Sequence, residues 1–174
     1  MTSRIIAAAA FLLISSTAWS QDFKSLGSFS NVRSSDGGEH CRGYSLALWQ
    51  SGPRLLGLLD VHQGLCGDPP CGVLRDASLD PKTGRLRFWS PTDTRLEFAG
   101  RLSGDVVSGT LNGEPVRLTR DRNGPDSTFK ANQSLTNWCG FWSGVGRCRG
   151  VRELCASLRF TGGSEMRPGT GESR

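Results

Sequence analysis

The sequence predicts an all-β protein, an antiparallel meander of about eight short strands closing into a small barrel with a short C-terminal helix packed outside. Three observations point there. Between residues 26 and 120, short extended runs alternate with turn signals. Within most runs, apolar and polar residues alternate with period two. Helical spacing of apolar residues comes late, at Val151, Leu154, Cys155 and Leu158.

Eight runs are legible, at 26–32, 41–49, 54–62, 71–79, 85–89, 95–102, 105–111 and 115–119. The turns between them carry Ser51-Gly52-Pro53, Gly67-Asp68-Pro69-Pro70, residues 80–84, Ser103-Gly104 and Asn112-Gly113. The last is the strongest signal, because a two-residue hairpin turn needs positive φ at both positions, and Asn and Gly supply it at little cost. Its flanks agree: Val107, Gly109 and Leu111 share one face, and Val116 and Leu118 continue it, with Arg117 and Thr119 opposite. Leu96, Phe98 and Leu102 oppose Arg95, Glu97 and Arg101, and Leu86 and Phe88 oppose Arg85 and Arg87. These runs read as half-buried strands with a basic outer face. The run Leu55-Leu56-Gly57-Leu58-Leu59 breaks the alternation, so its outer side needs a cover as well. The helix signalled by Val151 to Leu158, stopped by Gly162-Gly163, is the expected cover.

Closure removes exposed strand edges, and a meander of this length closes most economically into a barrel. The arrangement resembles the calycin-like architecture of lipocalin-type and avidin-type proteins, including a helix outside the barrel. The resemblance is architectural: the Trp that lipocalins usually carry near the start of the first strand is missing. A β-sandwich is the competing arrangement.

Residues 1–20 read as a secretory signal peptide. Arg4 supplies the positive region, residues 5–14 the apolar stretch, and Ala18-Trp19-Ser20 the cleavage site, so the mature chain is expected to begin at Gln21. The apolar run is short of the roughly 20 residues that span a bilayer, so no membrane anchor is expected. The barrel then occupies 21–120, and 121–160 is a cysteine-rich segment of the same domain that carries the helix. Residues 161–174 have almost nothing to bury and read as a disordered tail. Six cysteines beyond a leader make disulfides the default and place the protein in a periplasmic or secreted setting.

Losing Arg4 leaves 20 basic against 16 acidic residues. The basic set is 18 Arg to 3 Lys across the whole chain, and Arg suits bidentate recognition of carboxylate or phosphate. The excess runs along the chain rather than gathering in one motif. A basic chain suggests an anionic partner, but the leader and the lack of a reading motif exclude nucleic acid.

Cys66 and Cys71 bracket a turn sequence, which suggests a local bridge, and Cys139 and Cys148 bracket a Gly-rich stretch, which suggests another. Cys41 and Cys155 would then tie helix to barrel. The hairpin register offers a rival, since Cys41 falls near His62 and so near Cys66. His40 and His62 with Cys66 and Cys71 are zinc-type ligands whose spacing fits no metal pattern, so no metal or other cofactor is expected.

No catalytic signature accompanies His40 and His62, the only histidines. Residues 109–113, with Thr110 and Asn112, form a hairpin and not a phosphate loop. Asp60, in an apolar run, and Asp76 are the carboxylates that a hydrolase would have to bring together. Asn132-Gln133-Ser134 fits a glycosylation acceptor.

Trp49 and Trp89 fall at strand ends, but Trp138, Phe141 and Trp142 cluster and are followed by Arg147, Arg149 and Arg152. Aromatic and Arg residues together have the composition of an interface hot spot. The chain therefore reads as an exported, non-catalytic binding protein that engages another protein or an anionic macromolecule through this segment, as an enzyme inhibitor or an immunity-type protein does. The alternative is a carrier of a small apolar ligand in a cavity lined by Leu46, Leu48, Phe88 and Phe98, with Leu86, Leu96 and Leu111. A carboxylate-dependent hydrolase is the third reading.

Overall fold

The computed structural model of the protein describes residues 23–67, 69–122 and 134–160. The leader, the C-terminal tail and the site at Asn132 lie outside them. Eleven strands run in the order β1 (Phe23–Ser30), β2 (Arg33–Ser35), β3 (His40–Ser51), β4 (Arg54–Leu65), β5 (Cys71–Val73), β6 (Arg75–Leu79), β7 (Arg85–Pro91), β8 (Arg95–Ser103), β9 (Val106–Leu111), β10 (Glu114–Arg120) and β11 (Cys148–Arg149). Helix α1 (Leu135–Val145) precedes β11, and α2 (Val151–Phe160) follows it.

The strands form a curled, open, mixed sheet, a half-barrel in the order β11-β5-β4-β3-β1-β10-β9-β8-β7-β6, with β2 added on β3. Every pairing is antiparallel except β11 with β5. The end strands do not pair with each other, so the all-β expectation stands while a closed barrel is not what the strand order gives. Nine residues reach across the gap: 71–73 pair with β4, and 75–79 pair with β7. The chain turns between these partners where the β6 register shifts and Asp76 takes φ 47°.

Two cores sit on opposite faces of the sheet, as period-two alternation requires. The concave side holds Phe29, Leu46, Leu48, Leu86, Phe88 and Phe98 among others. The convex side of β3 to β5 holds Ala47, Trp49, Leu56, Leu58 and Val73, covered by α1 and α2. The doubly apolar run in β4 does have a cover, then, but two helices supply it rather than one.

Local chemistry fixes the turns. Asn112 and Gly113 adopt φ 50° and 86°, and Asn112 also accepts from Glu97 N at 2.7 Å, tying the β9–β10 turn to β8. Gly27, at φ 120°, marks a register shift in β1, and the Arg120 guanidinium occupies the space a Cβ would need while donating to Leu26 O at 3.1 Å.

The disulfides are Cys41–Cys66, Cys71–Cys148 and Cys139–Cys155. The hairpin register indicated the first, whereas the pairings suggested by spacing, Cys66 with Cys71, Cys139 with Cys148 and Cys41 with Cys155, do not form. Cys71 pairs opposite Asp60, six residues before Cys66 along the β4 path. At about 3.3 Å per residue that is on the order of 20 Å, too far for a bridge. The Pro70 stretch runs back alongside β4, with Val61 N donating to Pro70 O at 2.9 Å. Cys148 meets Cys71 in parallel register on β11, which leaves Cys139 of α1 for Cys155 of α2.

Candidate functional site

Residues 134–152 wrap the convex face. Ser134 caps α1 by accepting from Asn137 N at 3.1 Å, and Gly146 ends it at φ 74°. The helix lays Trp138, Cys139 and Trp142 on the sheet, with Trp138 packing edge-on against Trp49 at 5.7 Å between ring centroids. Trp138 is 0 % exposed and Trp142 8 %. The indoles therefore serve the second core rather than face a partner. This corrects the expectation for Trp138 and Trp142: their spacing of four residues puts both on the one face of α1 that meets the sheet. Phe141 is half-buried, at right angles to Trp142.

The arginines stay outside. Arg149 lies on the outward side of β11, donating to Thr92 O at 2.8 Å and pairing with Asp93 at 3.0 Å. Arg152 donates to Ser143 O at 3.3 Å, and Arg147 pairs with Asp60 at 3.1 Å. Between α1 and α2 lies a cleft of about 350 Å³ whose lining includes Trp142, Ser143, Gly146, Arg149, Arg152 and Glu153.

Beneath Arg147 a polar row crosses the sheet. Ser30 pairs with Ser45, Ser45 with Asp60, Asp60 with Cys71 and Cys71 with Cys148. His62, two residues along from Asp60 and on the same side of β4, has its Nε2 3.2 Å from Ser45 Oγ. Burial pushes the Asp60 carboxyl up to about 6 against a weaker opposing attraction from Arg147. Burial, and secondarily the Arg147 charge, hold the His62 imidazole below its usual range. His62 Nδ1 has no partner among the described residues, so the Ser–His contact lacks a third, orienting group. Asp76 is exposed and accepts from Trp89 Nε1 at 2.8 Å, whereas Asp60 is paired with Arg147. Cys66 and Cys71 are bridged and have no thiolate to offer a metal.

The Asp60 cluster carries a pH signature. The folded protein holds the Asp60 proton between the ordinary carboxylate value, 3.8, and about 6, so this group's contribution to stability falls as pH rises through that window. Two pK units correspond to about 3 kcal/mol. His62 acts oppositely: its folded value lies below 6.5, so its contribution rises as pH climbs toward 6.5. Denaturant unfolding with the disulfides intact should therefore show wild-type protein losing stability from pH 4 to pH 6 relative to Asp60→Asn, which lacks the Asp60 titration and keeps the opposing one of His62. A fall of the same size in Asp60→Asn would assign it to another group.

The residues expected to line a lipocalin-type cavity pack together on the concave side, and Phe88 and Phe98 also border the space of about 480 Å³ beside β7 and β8. Leu46, Leu48 and Leu86 are fully buried, Phe88 stacks on Phe98 at 5.0 Å, and Leu111 packs among them, with Leu96 at the margin. Sequence reasoning had no sign of the Asp60–Arg147 pair, which joins residues 87 apart, although Asp60 in its apolar run was visible. Comparison with known protein families, curated proteins and solved structures finds no match.

Proposed function

We propose that the protein is an exported, non-catalytic binding protein that engages a macromolecular partner through the arginine ridge of Arg147, Arg149 and Arg152. In this reading residues 1–20 are its cleaved leader, its place is periplasmic or extracellular, and the stretch 71–79 completes a calycin-like barrel. The observation that carries the proposal is the mounting of the ridge: Arg149 and Arg152 line a polar cleft, with exposed Arg147 just before them, on a segment pinned by Cys71–Cys148 and Cys139–Cys155. A rigid support means that little conformational entropy is lost when the guanidiniums meet acidic groups. An inhibitor or immunity-type protein uses such a preformed surface. Three disulfides accord with an oxidising compartment, and among the described residues no helix is long and apolar enough to cross a membrane.

The test compares wild-type protein with Arg149→Glu/Arg152→Glu, which leaves the Arg147–Asp60 pair intact, as baits in the exported fraction, read by quantitative mass spectrometry. The expected result is a protein enriched at least about tenfold by wild type and lost with the variant, whose melting temperature stays within a few degrees of wild type. Equal recovery on both baits would overturn the ridge as the contact.

A further inference from the structure

The outer face of β7 to β10 carries a second, independent surface. Strand register places Arg85 opposite Arg101, Arg101 opposite Ser108, and Ser108 opposite Arg117. Arg87 lies two residues from Arg85 on the same side of β7. All four arginines are exposed, and among the described residues none of them is in an ion pair. The acids nearby are committed elsewhere. Glu97 pairs with Arg95 at 2.8 Å, Asp76 accepts from Trp89, and Asp80, which feels Arg85 only weakly, is held by Thr83 at 2.7 Å. Like charges directly opposite on neighbouring strands are destabilising, so folding alone gains nothing from this row.

We propose that this face binds a linear acidic polysaccharide, lying across the strands with its anionic groups on Arg85, Arg101 and Arg117. At about 4.8 Å per strand the row spans roughly 14 Å, with Arg101 one strand from Arg85 and two strands from Arg117, and each guanidinium can take a carboxylate of the chain with bidentate geometry. Ser108, between Arg101 and Arg117, and Thr110, in the next row, offer hydroxyls to sugar hydroxyls. Beside the row, a trough of about 480 Å³ is lined by Arg87, Trp89, Arg95, Glu97, Thr110 and Asn112 among others.

A protein partner and a membrane fit less well. The large hydrophobic residues exposed among the described ones are Leu65 and Val145, and neither is on this face. Its one large aromatic ring, Trp89, is half-buried and covered by Arg95 at 4.3 Å, so the face offers no freely exposed apolar anchor for a protein interface and no inserting residue for a membrane surface.

The experiment measures binding of the full disulfide-bonded chain to immobilised polygalacturonate at low and high salt. Wild type should bind at low salt and weaken as salt is added, because screening acts on exposed charges. Arg85→Glu/Arg101→Glu/Arg117→Glu should weaken binding on the order of tenfold to a hundredfold, at up to about 1 kcal/mol per exposed contact. Lys24→Glu/Arg33→Glu/Arg42→Glu, an identical change of net charge placed on β1 to β3 and away from this face, should weaken it less than about threefold. Near-UV circular dichroism and melting temperature confirm the fold of both variants. Equal losses in the two variants would reduce the effect to net charge and overturn the proposal. So would binding to poly-glutamate or to phosphatidylglycerol vesicles that matches or exceeds binding to polygalacturonate. Because the ridge at Arg147 to Arg152 is untouched in both variants, this outcome and that of the bait experiment are read separately.

Discussion

Replacing Cys71 and Cys148 together by Ala is expected to cost about 4–5 kcal/mol, the largest loss available from any one of the three bridges. The bond joins residues 77 apart, whereas the other separations are 25 and 16. In the chain-entropy account a bridge stabilises by restricting the unfolded chain, and the effect grows with the logarithm of the closed loop. Its native surroundings add to this. Cys71 and Cys148 are buried in the second core, and β11, which the bond fastens to β5, has only two residues of sheet pairing. Without the bond, α1, β11 and α2 keep their packing and the Cys139–Cys155 link but lose their covalent tie to the sheet. Denaturant unfolding should show the midpoint fall, and hydrogen exchange should show residues 134–160 opening before β7 to β10. A loss below about 2 kcal/mol would mean that packing alone seats the helical pair.

The parts of this fold that were readable from sequence are those that depend on one strand at a time. Alternation at β7 to β10 gave the buried and basic faces residue by residue, because a half-buried strand writes its environment directly into its side chains. Asn112-Gly113 gave the tightest hairpin for the same local reason. The doubly apolar β4 told that a cover was needed. It could not tell that α1 would share the task, because Gly140, Gly144 and several aromatic residues make Leu135–Val145 a weak helix by propensity. The signal was there in the spacing of Trp138 and Trp142, which composition alone turned into an interface. What depends on the register between distant strands was not readable. The parallel match of Cys148 with Cys71 fixes one disulfide and constrains another, and Arg147 reaches Asp60 only because β11 lies beside β5, which pairs with β4. In the candidate site, residue types were legible and their exposure was not: the arginines are outside, the indoles inside.

Trp138→Ala separates those two roles and is expected to destabilise the protein by about 3–5 kcal/mol, in the range for truncating a fully buried aromatic residue. Trp138 is 0 % exposed, contacts Trp49 edge-on and lies in the core formed with Leu56, Leu58 and Val73. The neighbouring Cys139–Cys155 bond limits how far α1 can move to close the void, so the cost belongs toward the upper part of that range. At a few degrees per kcal/mol for a domain of this size, the melting temperature should drop by roughly 10–20 °C. An interface residue would behave differently, leaving the melting temperature unchanged while abolishing partner capture. Trp138→Phe sharpens the distinction. The indole Nε1 has no acceptor among the described residues, so Phe gives up some apolar area but also removes a buried, unsatisfied donor. Its net cost should be about 1 kcal/mol or less. A Phe variant as unstable as the Ala variant would show that the N–H has a partner and that the second core is organised around it, whereas a near-neutral Phe assigns the position to packing alone.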